Sequence, residues 1–378
     1  MATAGRTSQE TRADLEVVRA RLRNQRMLGP APATPAEVVR WLGAVQAQDY
    51  RGALWGVALR TRDAVEADVE AALADRSIAR TWPMRGTLHF APPGDVRWML
   101  RHLATRVIRR SAGRYRELGL DDAAFARSRR LCERALAGGG QLTRPEMYER
   151  LARDGVSPEG QRGIHILGRL AMEGLLCFGP QRGKQPTFVL LEEWLPPAPV
   201  PERDEALAQL ARRYFTGHGP ATLADFAWWT GLPLGEARAA LEAARPHLVE
   251  SSAGGAAHFA GSRPARARTP ATAHLLPAYD EYTVAYRERG AFLDRAHAES
   301  ARNGIFSPVV VIDGRIGGTW RRRTGKAAVT ITAEVFAPLA PAARRALSAA
   351  AARYGRFLGV GVDLDVRRAG RSGRAGRK

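Results

Sequence analysis

The sequence predicts an α+β fold, mostly α, of three tandem winged-helix units followed by a C-terminal domain that contains a β-hairpin. Two observations carry that expectation. Helices followed by a strand pair recur three times in the same order, in units of about 60–90 residues, as in a tandem array. After residue 273 the pattern changes to apolar strands around an Asp-Gly turn, a local signal for a hairpin. With 378 residues, 45% of them hydrophobic and 25% charged, the chain has the composition of a folded globular protein, which excludes a disordered one.

In the first unit, residues 11–110, Leu15, Val18 and Leu22 fall at helical spacing. Thr34 caps a second helix, with Pro35 at its first position and Glu37 three residues after the cap. Its apolar positions Val38, Val39, Trp41, Leu42 and Val45 carry the helix into VQAQDY, residues 45–50. A third helix, Val65–Ala74, precedes SIARTWPMRGTLHF, whose alternation and Gly86 indicate two short strands. The second unit, residues 121–196, has a helix Phe125–Leu136, a GGG break and a helix capped by Thr143. A helix Ser157–Leu176 and the hairpin LLCFGPQRGKQPTFVLL complete it. The third unit, residues 203–261, runs from ALAQLARRYF through a helix–turn–helix that starts at Thr222 and turns at Gly231. A helix Leu234–Ala244 and the weak strands HLVESS and AAHFAG close it.

Two linkers mark the boundaries: the Pro-rich LPPAPVPERDE and the basic GSRPARARTPATA. The C-terminal domain, residues 274–366, holds LLPAYDEYTVAY, the hairpin FSPVVVIDGRIGGTWRRR turning at Asp313, the strand AAVTIT and a helix Pro341–Phe357. The tail, residues 367–378, has no core-forming residues and is expected to be a disordered basic arm.

Charge narrows the partner. Lys and Arg number 58 against 38 acids, a net +20, which makes nucleic acid the first partner to test and a membrane surface the second. The hairpin cations Arg321, Arg322, Arg323 and Lys326 flank a turn at Thr324–Gly325 and are candidates to straddle phosphates, the alternative being a solvated hairpin end. Cys132 and Cys177 stand far apart with no CxxC or His-rich cluster, so no disulfide framework, metal or cofactor is expected. No apolar run approaches the ~18 residues of a membrane span. A cytoplasmic, nucleoid-associated monomer is the expectation.

Gln46 and Gln48 raise a geometric question. In a helix, residues i and i+2 point about 200° apart, whereas in an extended segment they face one way. The two amides converge only if the helix stops before Gln48. An amide can hold and orient a water but is too weak a base to deprotonate it fully, so the site suits a leaving group that is already activated. A cationic N7- or N3-alkylated purine is such a group. Asp49 is then either a bystander or an electrostatic partner of positive charge on the sugar.

QAQDYRGALWGVALR, TWPMRGTLHF, HGPATLADFAWW, LLPAYDEY and SPVVVIDGRIGGTW occur in order between residues 41 and 320. On these stretches the chain resembles the AlkZ/YcaQ family of bacterial winged-helix DNA glycosylases. The resemblance implies three winged helices around a concave face for double-stranded DNA carrying alkylated bases. It also implies a Gln-aliphatic-Gln catalytic signature, matched by Gln46-Ala47-Gln48. The implied reaction is hydrolysis of N-glycosidic bonds at bulky adducts or interstrand crosslinks, in some members as self-resistance to a DNA-alkylating natural product. Asp49, Arg85, His89 and Asp280 become candidates to line the pocket. For His89 the alternative is a hydrogen-bonded structural histidine, for Asp280 a residue that only fixes its turn. Trp82 reads as core rather than a stacking wedge. Arg51 is a candidate DNA contact, and the hairpin at Asp313–Gly314 resembles the family's DNA-gripping hairpin. Lys184, Lys326 and Lys378 are the only lysines, so few amines could form a Schiff base and a monofunctional enzyme is expected. The rival is a non-enzymatic DNA-binding protein, a transcriptional regulator or a lesion-sequestering protein. A nuclease is poorly supported, because no acidic metal cluster is apparent.

Overall fold

The structure is a computed structural model that describes residues 8–263, 270–325 and 327–369. Lys326, residues 264–269 of the basic linker and residues 370–378 of the tail lie outside the described residues. The fold is mixed α and β, with helices predominating. The described strands are β1 (Val45–Gln46), β2 (Ala79–Met84), β3 (Thr87–Ala91), β4 (Leu142–Thr143), β5 (Leu176–Arg182), β6 (Gln185–Leu190), β7 (Val249–Ala253), β8 (Ala256–Ala260), β9 (Ala273–Leu276), β10 (Val309–Ile312), β11 (Arg315–Thr324), β12 (Ala328–Val335) and β13 (Gly361–Arg368). They form a six-stranded sheet in the order β1-β3-β2-β5-β6-β4, a five-stranded sheet β13-β12-β11-β10-β9, and the pair β7-β8.

The capping signal at Thr34 is realised. Thr34 Oγ1 accepts from Glu37 N at 3.3 Å and the Glu37 carboxylate accepts from Thr34 N at 3.2 Å, starting the helix Pro35–Leu42. That helix ends three residues earlier than its apolar periodicity suggested. Gly43 adopts φ 81°, which an L side chain rarely takes, and the next residues become β1. YRG, turn-like in sequence because of its glycine, opens a helix Tyr50–Ala58. Its glycines form a close-packing face: a methyl at Gly52 would lie 3.1 Å from Pro277 Cβ, and one at Gly56 3.2 Å from Asp280 Oδ2.

After the β2–β3 hairpin the chain adds a helix Pro93–Met99, a π turn Leu100–Ala104 and helices Thr105–Arg110 and Ala112–Glu117, a stretch without a sequence assignment. The helix expected at Ser157–Leu176 is shorter, Arg162–Met172, because Gln161 and Gly174 take φ 73° and 81° at its ends. The β2–β3 and β5–β6 hairpins join edge to edge through Arg80 and Phe178 in one sheet. Over residues 203–261, the segment expected to form the third repeat, helices Arg203–His218, Leu223–Thr230 and Leu234–Ala244 precede β7 and β8. The first helix, Ser8–Asn24, reaches this repeat: Arg21 Nε donates to Pro220 O at 2.9 Å and Asn24 Nδ2 to Gly219 O at 2.7 Å.

The C-terminal sheet is antiparallel except for β13, which pairs parallel with β12 after the helix Pro341–Leu358, a connection long enough for that crossover. One hydrophobic cluster runs from Val18 to Phe357 through all these parts. Such a shared core fixes their relative positions, so groups far apart in sequence can meet at a rigid site. No helix among the described residues is long and apolar enough to cross a membrane.

Candidate active site

The end of the Pro35–Leu42 helix meets the condition for the two glutamines to act together. Gln46 pairs with His89 across β1 and β3, and Ala47 N donates to Leu88 O at 2.7 Å. The chain then leaves the ladder. The side-chain carbonyl of Gln48 takes the next donor, Leu88 N, at 3.3 Å. Both amides are therefore anchored to the same hairpin, β2–β3. Gln46 is buried to 8% exposure, whereas Gln48 and Asp49 are exposed. Among the described residues neither glutamine's Nε2 makes a hydrogen bond, and each carbonyl keeps a second lone pair.

Gln46 is held at two points. Its backbone N–H donates to Glu281 Oε1 at 2.8 Å, and its Oε1 accepts from Arg85 Nη2 at 2.8 Å. Glu281 Oε2 accepts from Trp229 Nε1 at 2.9 Å and faces His218 Nε2 at 3.2 Å. Burial acts to raise the Glu281 pKa, but the His218 hydrogen bond and charge, the Gln46 amide and Arg85 outweigh it and hold the pKa at about 2. The Arg85 guanidinium also donates to Trp229 O. Burial lowers the Arg85 pKa, and the charge on Glu281 works against that shift.

His89 is buried. Its Nδ1 faces Thr87 O at 2.9 Å and its Nε2 faces Arg85 Nη2 at 3.1 Å. Arginine only donates, so Nε2 accepts and the ring proton sits on Nδ1. Burial, aided by the Arg85 charge, lowers the His89 pKa to about 3. Of the two readings of His89, the geometry is that of the hydrogen-bonded structural histidine, which braces Arg85 from inside the core and does not line the pocket. Asp280 is structural too. It forms a two-pronged pair with Arg60 at 2.7 and 2.9 Å, with both side chains at 1% exposure, and caps Tyr282 N at 2.8 Å. Its neighbour Glu281 reaches the site instead.

Asp49 stands at the N-terminus of the Tyr50–Ala58 helix, next to Gln48, and its side chain makes no capping bond there. Arg51 is exposed in the first turn of that helix. Behind β1, Arg80 donates to Ala47 O at 3.0 Å and lies between the rings of Tyr50 and Phe178, at 4.9 and 4.7 Å. Burial pushes its pKa down to about 10, with Tyr50 and Asp49 partly offsetting it. Trp82 packs on Phe178 with ring centroids 5.1 Å apart, in the core.

The Asp313–Gly314 turn is not a free tip. Asp313 Oδ1 accepts from Thr272 N at 2.8 Å, Gly314 O accepts from Tyr282 Oη at 2.7 Å, and a methyl at Gly314 would lie 2.8 Å from Val18. The turn packs against the first helix, which corrects its reading as a DNA grip. The exposed tip is the one joining β11 to β12. There Arg321 pairs with Glu334 at 2.7 Å, Arg322 bonds Tyr354 Oη, and Arg323 is exposed. Two of the three described cations of this cluster are therefore already engaged.

Glu281, His218, Trp229 and Arg80 were missed as site residues. Glu281 is 235 positions from Gln46, and nothing in the local pattern of AYDEY distinguishes it from Asp280. The available signal was that HGPATLADFAWW, which carries His218 and Trp229, and LLPAYDEY, which carries Glu281, were among the recognisable stretches, whereas Arg80 falls one residue before TWPMRGTLHF. Among the described residues no group of three or more His, Cys, Asp or Glu side chains is placed to hold a metal.

The family described as DNA glycosylase AlkZ-like matches residues 39–357. A relative from Streptomyces sahachiroi, described as an interstrand DNA cross-link repair glycosylase, is 30% identical over 310 residues, covering 75% of this chain and 81% of its own length. The solved structure of a DNA glycosylase from the same organism, AlkZ, matches with a TM-score of 0.74 at 25% identity, over 93% of this chain and 98% of that one.

Proposed function

The chain belongs to the AlkZ-like DNA glycosylase family, and on that premise we propose that it hydrolyses the N-glycosidic bond of a cationic alkylated purine in duplex DNA. The observation that carries this reading is the anchoring of Gln46 and Gln48 on one hairpin with a second lone pair left on each carbonyl to hold a water by its hydrogens and, among the described residues, both Nε2 groups unbonded. A water held by the two amides attacks the sugar C1′ as the C1′–N bond breaks. The bonding pair leaves with the purine and neutralises its positive charge, and the water's proton passes to solvent. No strong base is required, because the cationic base is a good leaving group before the water arrives. Asp49, exposed next to Gln48, stabilises the oxocarbenium character of the sugar. The substrates are N7- or N3-alkylpurines, including bulky adducts and crosslinks; the Streptomyces relative described as a crosslink repair glycosylase supports that range.

The product is an abasic site in an intact strand. Lys184 is exposed on the β5–β6 turn, and among the described residues the groups that bond Gln46 are Glu281 and Arg85, neither of them an amine. Incubation with a duplex carrying one N7-alkylguanine should release the base, with cleavage at the lesion only after alkali. Borohydride should trap no covalent enzyme–DNA product. A lesion that stays attached would favour the non-enzymatic DNA-binding protein, and a trapped adduct would overturn the monofunctional assignment.

A further inference from the structure

Four side chains from three regions of the chain close around Gln46: Arg85 from the β2–β3 turn, His218 and Trp229 from the third repeat, and Glu281 from the C-terminal domain. We infer that Glu281 and Arg85 are positioning residues for Gln46, Glu281 fixing its backbone and Arg85 deciding which end of its amide meets the substrate. The inference rests on Gln46 being a catalytic amide.

Glu281 places one oxygen on the Gln46 N–H at 2.8 Å and the other on Trp229 Nε1 and His218 Nε2 at 2.9 and 3.2 Å. Its neighbour Asp280 is neutralised separately by Arg60, so the adjacent carboxylates do not compete for one cation. A buried ion of this kind adds little net stability over apolar packing, but a fully satisfied network imposes one arrangement. That arrangement locks the strand at Gln46.

Arg85 adds the second restraint. It carries three acceptors at once: Gln46 Oε1, Trp229 O and His89 Nε2. With the proton of His89 held on Nδ1 by Thr87 O, Nε2 stays an acceptor and the guanidinium cannot swing toward another partner. A guanidinium only donates, so the Gln46 carbonyl must face it and the Nε2 hydrogens must face away. His218 and Trp229 tie the pair to the third repeat.

The test is a double-mutant cycle in the full chain, read by single-turnover release of N7-alkylguanine and by duplex affinity. Glu281→Gln keeps the acceptor for Gln46 but opposes an amide NH2 to the Trp229 N–H. Arg85→Lys keeps the charge and loses the fork. Each should slow base release by about 10- to 100-fold, the scale of a small misplacement of a reacting group, with duplex affinity unchanged. Combined with Gln46→Ala, neither should slow release further than Gln46→Ala alone, because both act by placing that side chain, Glu281 through the backbone N–H and Arg85 through the amide carbonyl. A merely structural role would give additive losses or weaker duplex binding. Additivity, or wild-type rates in both single variants, overturns the inference. If Glu281→Gln does not fold, the half-buried Arg85→Lys carries the same cycle. Wild-type activity in Gln46→Ala would instead remove the catalytic reading beneath it.

Discussion

His89 is neutral because its two contacts leave no room for a second proton: a carbonyl on Nδ1 and a guanidinium on Nε2. That has a sign in stability. The unfolded imidazole titrates near 6.5, whereas in the fold burial and Arg85 lower the pKa to about 3. His274 is lowered to about 4 by burial and by Arg353 and Arg60. A depressed folded pKa means the unfolded chain takes up the proton first, so stability is lost as pH falls from about 6.5 toward 3. Glu281 adds loss in the same direction, from 4.5 down to about 2. Thermal unfolding followed from pH 7 to pH 4 should show a falling Tm, with a shallower fall in His89→Gln. An unchanged slope in that variant would show that His89 is not the buried neutral group described. None of these shifts was legible in TWPMRGTLHF, because the desolvation comes from the packing of distant segments.

At the scale of elements, the site depends on where two helices end and begin. The stop at Leu42 was hidden because Val45 continues the apolar spacing; only the φ of 81° at Gly43 shows the break. Gly43→Ala should cost at least about 1 kcal/mol for holding an L residue at positive φ. It should also slow base release by shifting β1, as urea unfolding and single-turnover assays would show. The Tyr50–Ala58 helix was hidden for the opposite reason. Gly52 is a residue that favours turns, yet it and Gly56 let the helix pass Pro277 and Asp280. Gly52→Ala, with its methyl 3.1 Å from Pro277 Cβ, is expected to destabilise by about 1–3 kcal/mol through overpacking. A stability within error of wild type would contradict the close packing. The capped helices and the β2–β3 and β5–β6 hairpins, by contrast, were legible because their signals are local: Thr34-Pro35-Glu37, Thr143-Arg144-Pro145-Glu146, Arg85-Gly86 and Gly183.

Across the whole molecule, +20 of charge supplies a sequence-independent pull on DNA, and the rigid core presents a few groups to the lesion. Binding should therefore weaken steeply with salt. Arg323→Ala is expected to reduce the salt slope by about 1, and Arg321→Ala by less, since Glu334 already holds that guanidinium. Equal effects from the two would contradict the ion pair. The same scale explains what the sequence could show of the site. Gln46 and Gln48 were readable as a pair from spacing and amide chemistry, while their supports come from residues up to 235 positions away. The most direct test of the central claim is single-turnover release of N7-alkylguanine from a duplex by wild type, Gln46→Ala, Gln48→Ala and the double variant. Each single substitution should lower the rate by about 10²–10³-fold at unchanged duplex affinity. Wild-type release by the double variant would contradict the account.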